Sequence, residues 1–358
     1  MARTITVYFA TNRMPFEVAK NRKAFFGSDI GFGDDLGPFD GKALRFGRAE
    51  VSVPEGGEGK LQKVVVADEK LMPTGKDGKV FVGSAQVFEE LRQATQEGDG
   101  DVLVVLHGYA NSFEGGIVGA AEVAERVGKS CAFAFCWPSG DLAAGINYGW
   151  ARERARISGE AIGRAFAALL RFLNKLAEED RSCNRRVDVM AHSMGNYALR
   201  NTVQAMLPHL RGEDAVRIVD DLVLVAADDD NDTLERLDGI APLVPFCRRV
   251  TVYHSRKDYV LQYSDRVKFK PDRLGQTGPL NIGATADNVV AIDVTDVVGE
   301  PIDGFLDHWY HRRTPQVIAD IGALLVDKGP DPGALPNRQP LPTAFRRYRL
   351  APAPKPTP

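Results

Sequence analysis

The chain is 358 residues long, above the roughly 250–300 at which a single hydrophobic core stops growing, so it holds two domains or one large α/β domain with added segments. Its 45 basic residues against 48 acidic ones leave a net charge of −3, a balance that argues against a nucleic-acid partner. No stretch reaches the ~18 apolar residues of a membrane span, and the N-terminal residues 1–10 lack an apolar signal region, so the expected location is the cytoplasm.

Thr4–Thr11 and Leu44–Val53 are predicted strands, separated by a glycine-rich loop from Gly27 to Gly41. Gly31-Phe32-Gly33 in that loop neither continues to a third glycine nor opens a helix, so it is not read as a phosphate cradle. Lys63–Ala67 and Val80–Val82 are short strands, followed by a helix over Ser84–Gln96. From Asp101 onward strand and helix alternate. Strand Asp101–Leu106 ends in His107-Gly108-Tyr109, and helix Glu114–Val127 leads to strand Cys131–Trp137. A long helix, Ala151–Glu179, turns Ile157, Ala161, Phe166, Leu169, Leu173 and Leu176 inward. A short strand holds Val187, Val189 and Met190, and helix Asn196–Leu207 comes next, with His209 in a loop after Pro208. Strand Ile218–Ala227, a short helix near Asp232–Leu237, strands Arg249–Ser255 and Val289–Val294, and helix Pro315–Val326 complete the series. Buried strands alternating with amphipathic helices predict an α/β class: a mostly parallel central sheet with helices on both faces, carrying an N-terminal β-extension.

The segment Pro330–Pro358 has nine prolines and five basic residues in 29 positions and is expected to be disordered or to wrap the domain. Cys131, Cys136, Cys183 and Cys247 show neither CxxC nor metal-ligand spacing and are expected to be buried thiols. The acidic run Asp228-Asp229-Asp230-Asn231-Asp232 lacks the glycine and closing glutamate of a calcium loop. No metal or cofactor is expected, and nothing in the sequence indicates an oligomeric state.

The chemistry centres on Ala191-His192-Ser193-Met194-Gly195, which joins a strand to a helix. A serine on such a sharp turn needs small residues two places either side, here Ala191 and Gly195. Its hydroxyl is expected to stand open to the site at a helix N-terminus, where backbone amides favour developing negative charge. An acyl-transfer serine also needs a base, an acid to orient the base, and oxyanion donors. His308 lies before the last helix and is the candidate base, with His311 a rival. Asp258 follows the strand ending at Ser255 and is the candidate acid, with Asp228 and Asp229 as alternatives. Asp258 is preferred because Tyr259-Val260-Leu261 opens no clear helix for it to cap, whereas Asp230 or Asp232 can cap the helix that follows them. The backbone N–H groups of Tyr109 and Met194 are the candidate oxyanion donors. The order Ser193, Asp258, His308 is that of α/β-hydrolases. His192 and His254 are read as structural.

Further stretches carry a resemblance. They are Val7-Tyr8-Phe9-Ala10-Thr11-Asn12-Arg13, Phe46-Gly47-Arg48 with Val51-Ser52-Val53-Pro54, and His107-Gly108-Tyr109-Ala110-Asn111-Ser112-Phe113. Trp137-Pro138-Ser139, the serine turn and Ala226-Ala227-Asp228 continue it. Together they resemble an uncharacterised family of bacterial α/β-hydrolases, catalogued as a domain of unknown function, over roughly residues 4–327. The resemblance implies a hydrolase fold and no particular substrate. The expected activity is serine-dependent hydrolysis of a small-molecule carboxylic ester, thioester or amide. An acyltransferase on the same fold, or a non-catalytic binding relative, are the alternatives. Only about 20 residues separate Ala227 from Arg249, too few for a helical lid, so an open pocket is expected.

Overall fold

The computed structural model describes residues 2–18, 25–67, 83–97, 101–140, 148–178, 186–210, 219–268, 272–299 and 306–327, and parts of the C-terminal segment (329, 333, 335–342 and 345–352). The expected strand Val80–Val82 and Cys183 lie outside the described residues. The chain divides into two compact units, Met1–Val187 and Asp188–Pro358.

In the first unit, β1 (Ala2–Thr11) runs parallel to β7 (Cys131–Cys136), and β7 parallel to β6 (Val102–Leu106). On its other side β1 pairs antiparallel with β4 (Arg45–Pro54), which pairs with β5 (Lys60–Val66). Register decides which face each residue takes. Ala10 lies opposite Phe46, and Tyr8 opposite Phe133, so Phe46 and Phe133 share a face and Phe9 takes the other. On the first face Phe88 of α2 (Gly83–Glu97) packs 5.6 Å from Phe46 and 5.9 Å from Phe133, and Phe172 of α4 (Tyr148–Glu178) joins it. On the second, Phe113 of α3 (Phe113–Arg126) packs 5.1 Å from Phe9. Helices thus cover both faces of this sheet. Gly47 is required where Phe9 crosses it, since a Cβ there would lie 2.4 Å from the Phe9 ring and from the Val65 carbonyl.

The glycine-rich segment is not wholly a loop. Ile30–Leu36 forms β3, antiparallel to β2 (Arg13–Glu17), and the turn α1 (Pro38–Gly41) follows with Phe39 and Asp40 left-handed. Alternating Ile30, Phe32 and Asp34 hold too few apolar residues to announce a strand; the pairing with β2 makes one. Arg13, almost wholly buried, donates to the carbonyls of Asn111, Trp137 and Gly33 and to the Asp34 carboxylate at 2.6–3.2 Å. It ties β3 to the loops after β6 and β7. Burial pulls its pKa below the usual arginine value.

In the second unit β8 (Val187–His192), β9 (Val219–Val225), β10 (Cys247–His254) and β11 (Val289–Asp293) are parallel neighbours. The helices are α5 (Gly195–Leu210), α6 (Tyr259–Lys268), α7 (Leu274–Thr277), α8 (Tyr310–Arg313) and α9 (Pro315–Val326). The helix after β8 continues through Pro208 to Leu210, so His209 belongs to it and not to a loop. Between β9 and β10 lie turns and a 3-10 helix, Ala241–Phe246, with no α-helix. In the proline-rich segment Arg347–Leu350 forms β13, parallel to β11, and Arg338–Pro340 forms β12 on its outer edge. Arg338 is buried with both carboxylate oxygens of Asp320 on α9 and donates to the Tyr253 hydroxyl, which itself donates to Asp320 at 2.6 Å. Among the described residues no helix is long and apolar enough to cross a membrane.

Two stability predictions follow from these burials. Removing Arg338 leaves the Asp320 carboxylate buried without its cation, so Arg338→Ala should cost about 3–5 kcal/mol, while Arg349→Ala, at an exposed position of β13, should cost under about 0.5 kcal/mol; chemical denaturation reads both. Burial also holds His107 down to about 3 and His254 to about 4. Such histidines take up a proton in the unfolded chain before the folded one. Stability should therefore be full above about pH 6.5 and fall toward pH 4. Urea titrations across that range should show His254→Gln with a slope shallower by about 1.4 kcal/mol per pH unit, one proton's worth.

Candidate active site

β8 carries six buried residues and ends at His192, and α5 begins at Gly195. The connection is tight enough that Ser193 takes a left-handed backbone, φ 55°. Three residues hold it there. Its N–H donates to the Val225 carbonyl, its carbonyl accepts from the amides of Asn196 and Asp228, and the Asn196 side chain bridges the carbonyls of Ala191 and Ser193. The Met194 amide follows directly, at the start of α5. Ser193 is not open as expected: it is 5% exposed, with its hydroxyl against the Nε2 edge of His308.

His308 lies in a 3-10 helix, Leu306–Trp309. Its Nε2 is 2.8 Å from Ser193 Oγ and its Nδ1 2.8 Å from Asp258 Oδ2, with Asp258 wholly buried. A carboxylate can only accept, so Nδ1 carries the proton and Nε2 is left to accept from the serine hydroxyl. The next turn anchors this segment: the Tyr310 hydroxyl donates to the Tyr253 carbonyl and accepts from the Ala226 amide. His311 is directed elsewhere, its ring 4.3 Å from that of His192.

The local structure around the acids differs from expectation. Asp258 does open a helix: α6 begins at Tyr259, and Asp258 Oδ1 accepts from the Leu261 amide while Oδ2 holds His308. One carboxylate serves both duties. Residues Asp232–Leu237 form turns, not a helix. Gly239 folds the chain back so closely that a Cβ there would lie 2.0 Å from the Thr233 carbonyl, and that carbonyl accepts from Ile240 and Ala241 in place of a helical donor. The alternative acids have other partners. Asp228 accepts from Ser264 at 2.7 Å with Arg273 at 3.7 Å, and Asp229 accepts from Thr233 and Arg200.

Tyr109 belongs to the first unit, in a loop clamped at several points. Asn111 Nδ2 donates to the carbonyls of Gly108 and Tyr109, Ser139 Oγ accepts from the Asn111 amide, and Trp137 Nε1 donates to the His107 carbonyl. His107 stacks on Trp137, its rings within 7° of parallel.

Cys131, Cys136 and Cys247 are buried, and burial pushes Cys136 up to about 12, which removes it as a thiolate nucleophile. Among the described residues the carboxylates near enough to share a metal ion are Asp188, Asp220 and Asp221. Arg248 and Arg249 already neutralise Asp220 and Asp221, and Arg249 extends the network to Asp327. Its positive charge disfavours a cation, and Asp188 stands at the end of β8 away from Ser193.

Two functional candidates were not legible in the sequence. Asn196 and Tyr310 act through backbone groups brought together only by the fold. The arrangement Asp258–His308–Ser193 is one in which a hydroxyl can pass its proton to a neutral imidazole whose tautomer is fixed.

No curated protein matches this chain. Among solved structures, the crystal structure of Aspergillus fumigatus lipase B is similar, at 14% identity and a TM-score of 0.36, over 66% of this chain and 55% of that one. The chain thus spans about half the length of that lipase. The family described as alpha/beta hydrolase of unknown function (DUF900) matches residues 84–327. With a mostly parallel sheet, helices and this match over more than half its length, the chain belongs to that α/β-hydrolase family.

Proposed function

We propose that the chain is a serine hydrolase of small carboxylic esters, thioesters or amides, with Ser193 as nucleophile, His308 as base and Asp258 as orienting acid. One observation carries the reading: both hydrogen bonds of the Asp258–His308–Ser193 series are 2.8 Å long, and all three side chains are buried. Ser193 Oγ bonds to the acyl carbon as its proton passes to His308 Nε2. Asp258 stabilises the imidazolium through Nδ1–H. The amide of Met194, at the start of α5, is assigned to the oxyanion. The intermediate collapses as His308 returns the proton to the leaving group. Water then repeats the sequence on the acyl-enzyme, releasing acid and free serine. Buried Ser193 supports the reading, since water exclusion strengthens each of these interactions.

Ser193→Ala should abolish labelling by a fluorophosphonate probe and lower ester turnover by at least ~10⁴-fold; full activity in that variant would end the proposal. Asp258→Asn should cost about 10⁴-fold in turnover with the geometry kept. Asp228→Asn and Asp229→Asn should cost much less, and a larger loss in either would move the acid to the end of β9.

A further inference from the structure

The two ring nitrogens of His308 are engaged by Asp258 and Ser193, which fixes its ring only if its backbone is also held. Tyr310 anchors the turn that follows, and the carbonyl of His308 itself is gripped by the neighbour of the serine. His192 Nε2 lies 3.0 Å from the His308 carbonyl oxygen, and a carbonyl can only accept, so Nε2 carries the hydrogen. The rings of His192 and His308 lie 4.8 Å apart, and that of His311 lies 4.3 Å from His192. The same turn of chain that presents Ser193 therefore also grips the main chain of the residue facing it. The link spans 116 positions in sequence.

We propose that His192 is a positioning residue: its Nε2–H holds the His308 main chain so that His308 Nε2 stays within hydrogen-bond reach of Ser193 Oγ. The proposal rests on His308 being the base. Coupling the nucleophile's turn to the base's carbonyl keeps the two in register when either segment shifts. His192 must also remain neutral, because His308 becomes an imidazolium beside it during turnover. Burial, together with the nearby His311 and His308, lowers its pKa well below the ordinary histidine value and so secures this.

Two variants of similar length separate the hydrogen bond from packing. His192→Gln places an amide N–H where Nε2 was, and His192→Met fills the space without a donor. With matched thermal transitions as the check on folding, Gln should retain kcat and labelling rate within about 3-fold. Met should lower both by roughly 10–100-fold with KM nearly unchanged, the cost of a misplaced base. Equal losses in the two variants, or a smaller loss in Met, would mean that the ring merely fills space and would overturn the proposal. A readout independent of turnover is the NMR resonance of the His308 Nδ1 proton bonded to Asp258. It should persist in the wild type and in Gln and broaden away in Met. A sharp, unshifted resonance in Met would overturn the proposal as well. Failure of the hydrolase reading looks different: the wild type itself would leave Ser193 unlabelled, while the resonance would still report whether His192 holds His308.

Discussion

A serine with a left-handed backbone is the constraint from which the second unit's arrangement follows. Such a conformation costs of order 1–3 kcal/mol for a residue with a side chain, and it persists because its surroundings leave no alternative. Its amide reaches to the end of β9, its carbonyl accepts from the start of α5 and from Asp228, and Asn196 braces the turn from inside. Relaxing Ser193 would break all of these together. The end of β9 is in turn fixed by Tyr310, so the turn that carries the serine and the segment that carries His308 share one framework.

The pieces of this arrangement were readable where the signal was local. Ala191 and Gly195 mark the sharp turn because the geometry admits only small side chains, and the alternation from Asp101 onward gave the parallel strands near their observed ends. Asp258 illustrates a different outcome. The sequence favours it over Asp228 and Asp229 on the ground that it caps nothing, yet it caps α6 and meets His308 as well. A carboxylate has two oxygens, so capping a helix with one leaves the other free to orient an imidazole. The helix near Asp232 failed for the opposite reason. Favourable capping residues cannot make a helix where Gly239 returns the chain onto Thr233.

What stayed illegible was set by distance in sequence. Arg13 finds carbonyls roughly a hundred positions away, and His192 finds one 116 positions away. No periodicity or motif announces a side chain whose partner is a main-chain oxygen elsewhere. β3 is illegible for a related reason: its strand character comes from pairing with β2 rather than from its own composition.

The placement of Arg338 bears on what a shortened chain would lose. Without it, Asp320 and the Tyr253 hydroxyl lack the cation that is buried with them. Without Arg347–Leu350, β11 presents an open edge. A chain cut between Val326 and Arg338 would therefore hold an uncompensated acid against its core and a free strand edge, the second of which invites edge-to-edge association. The proline-rich segment is in this sense a working part of the unit and not an appendage.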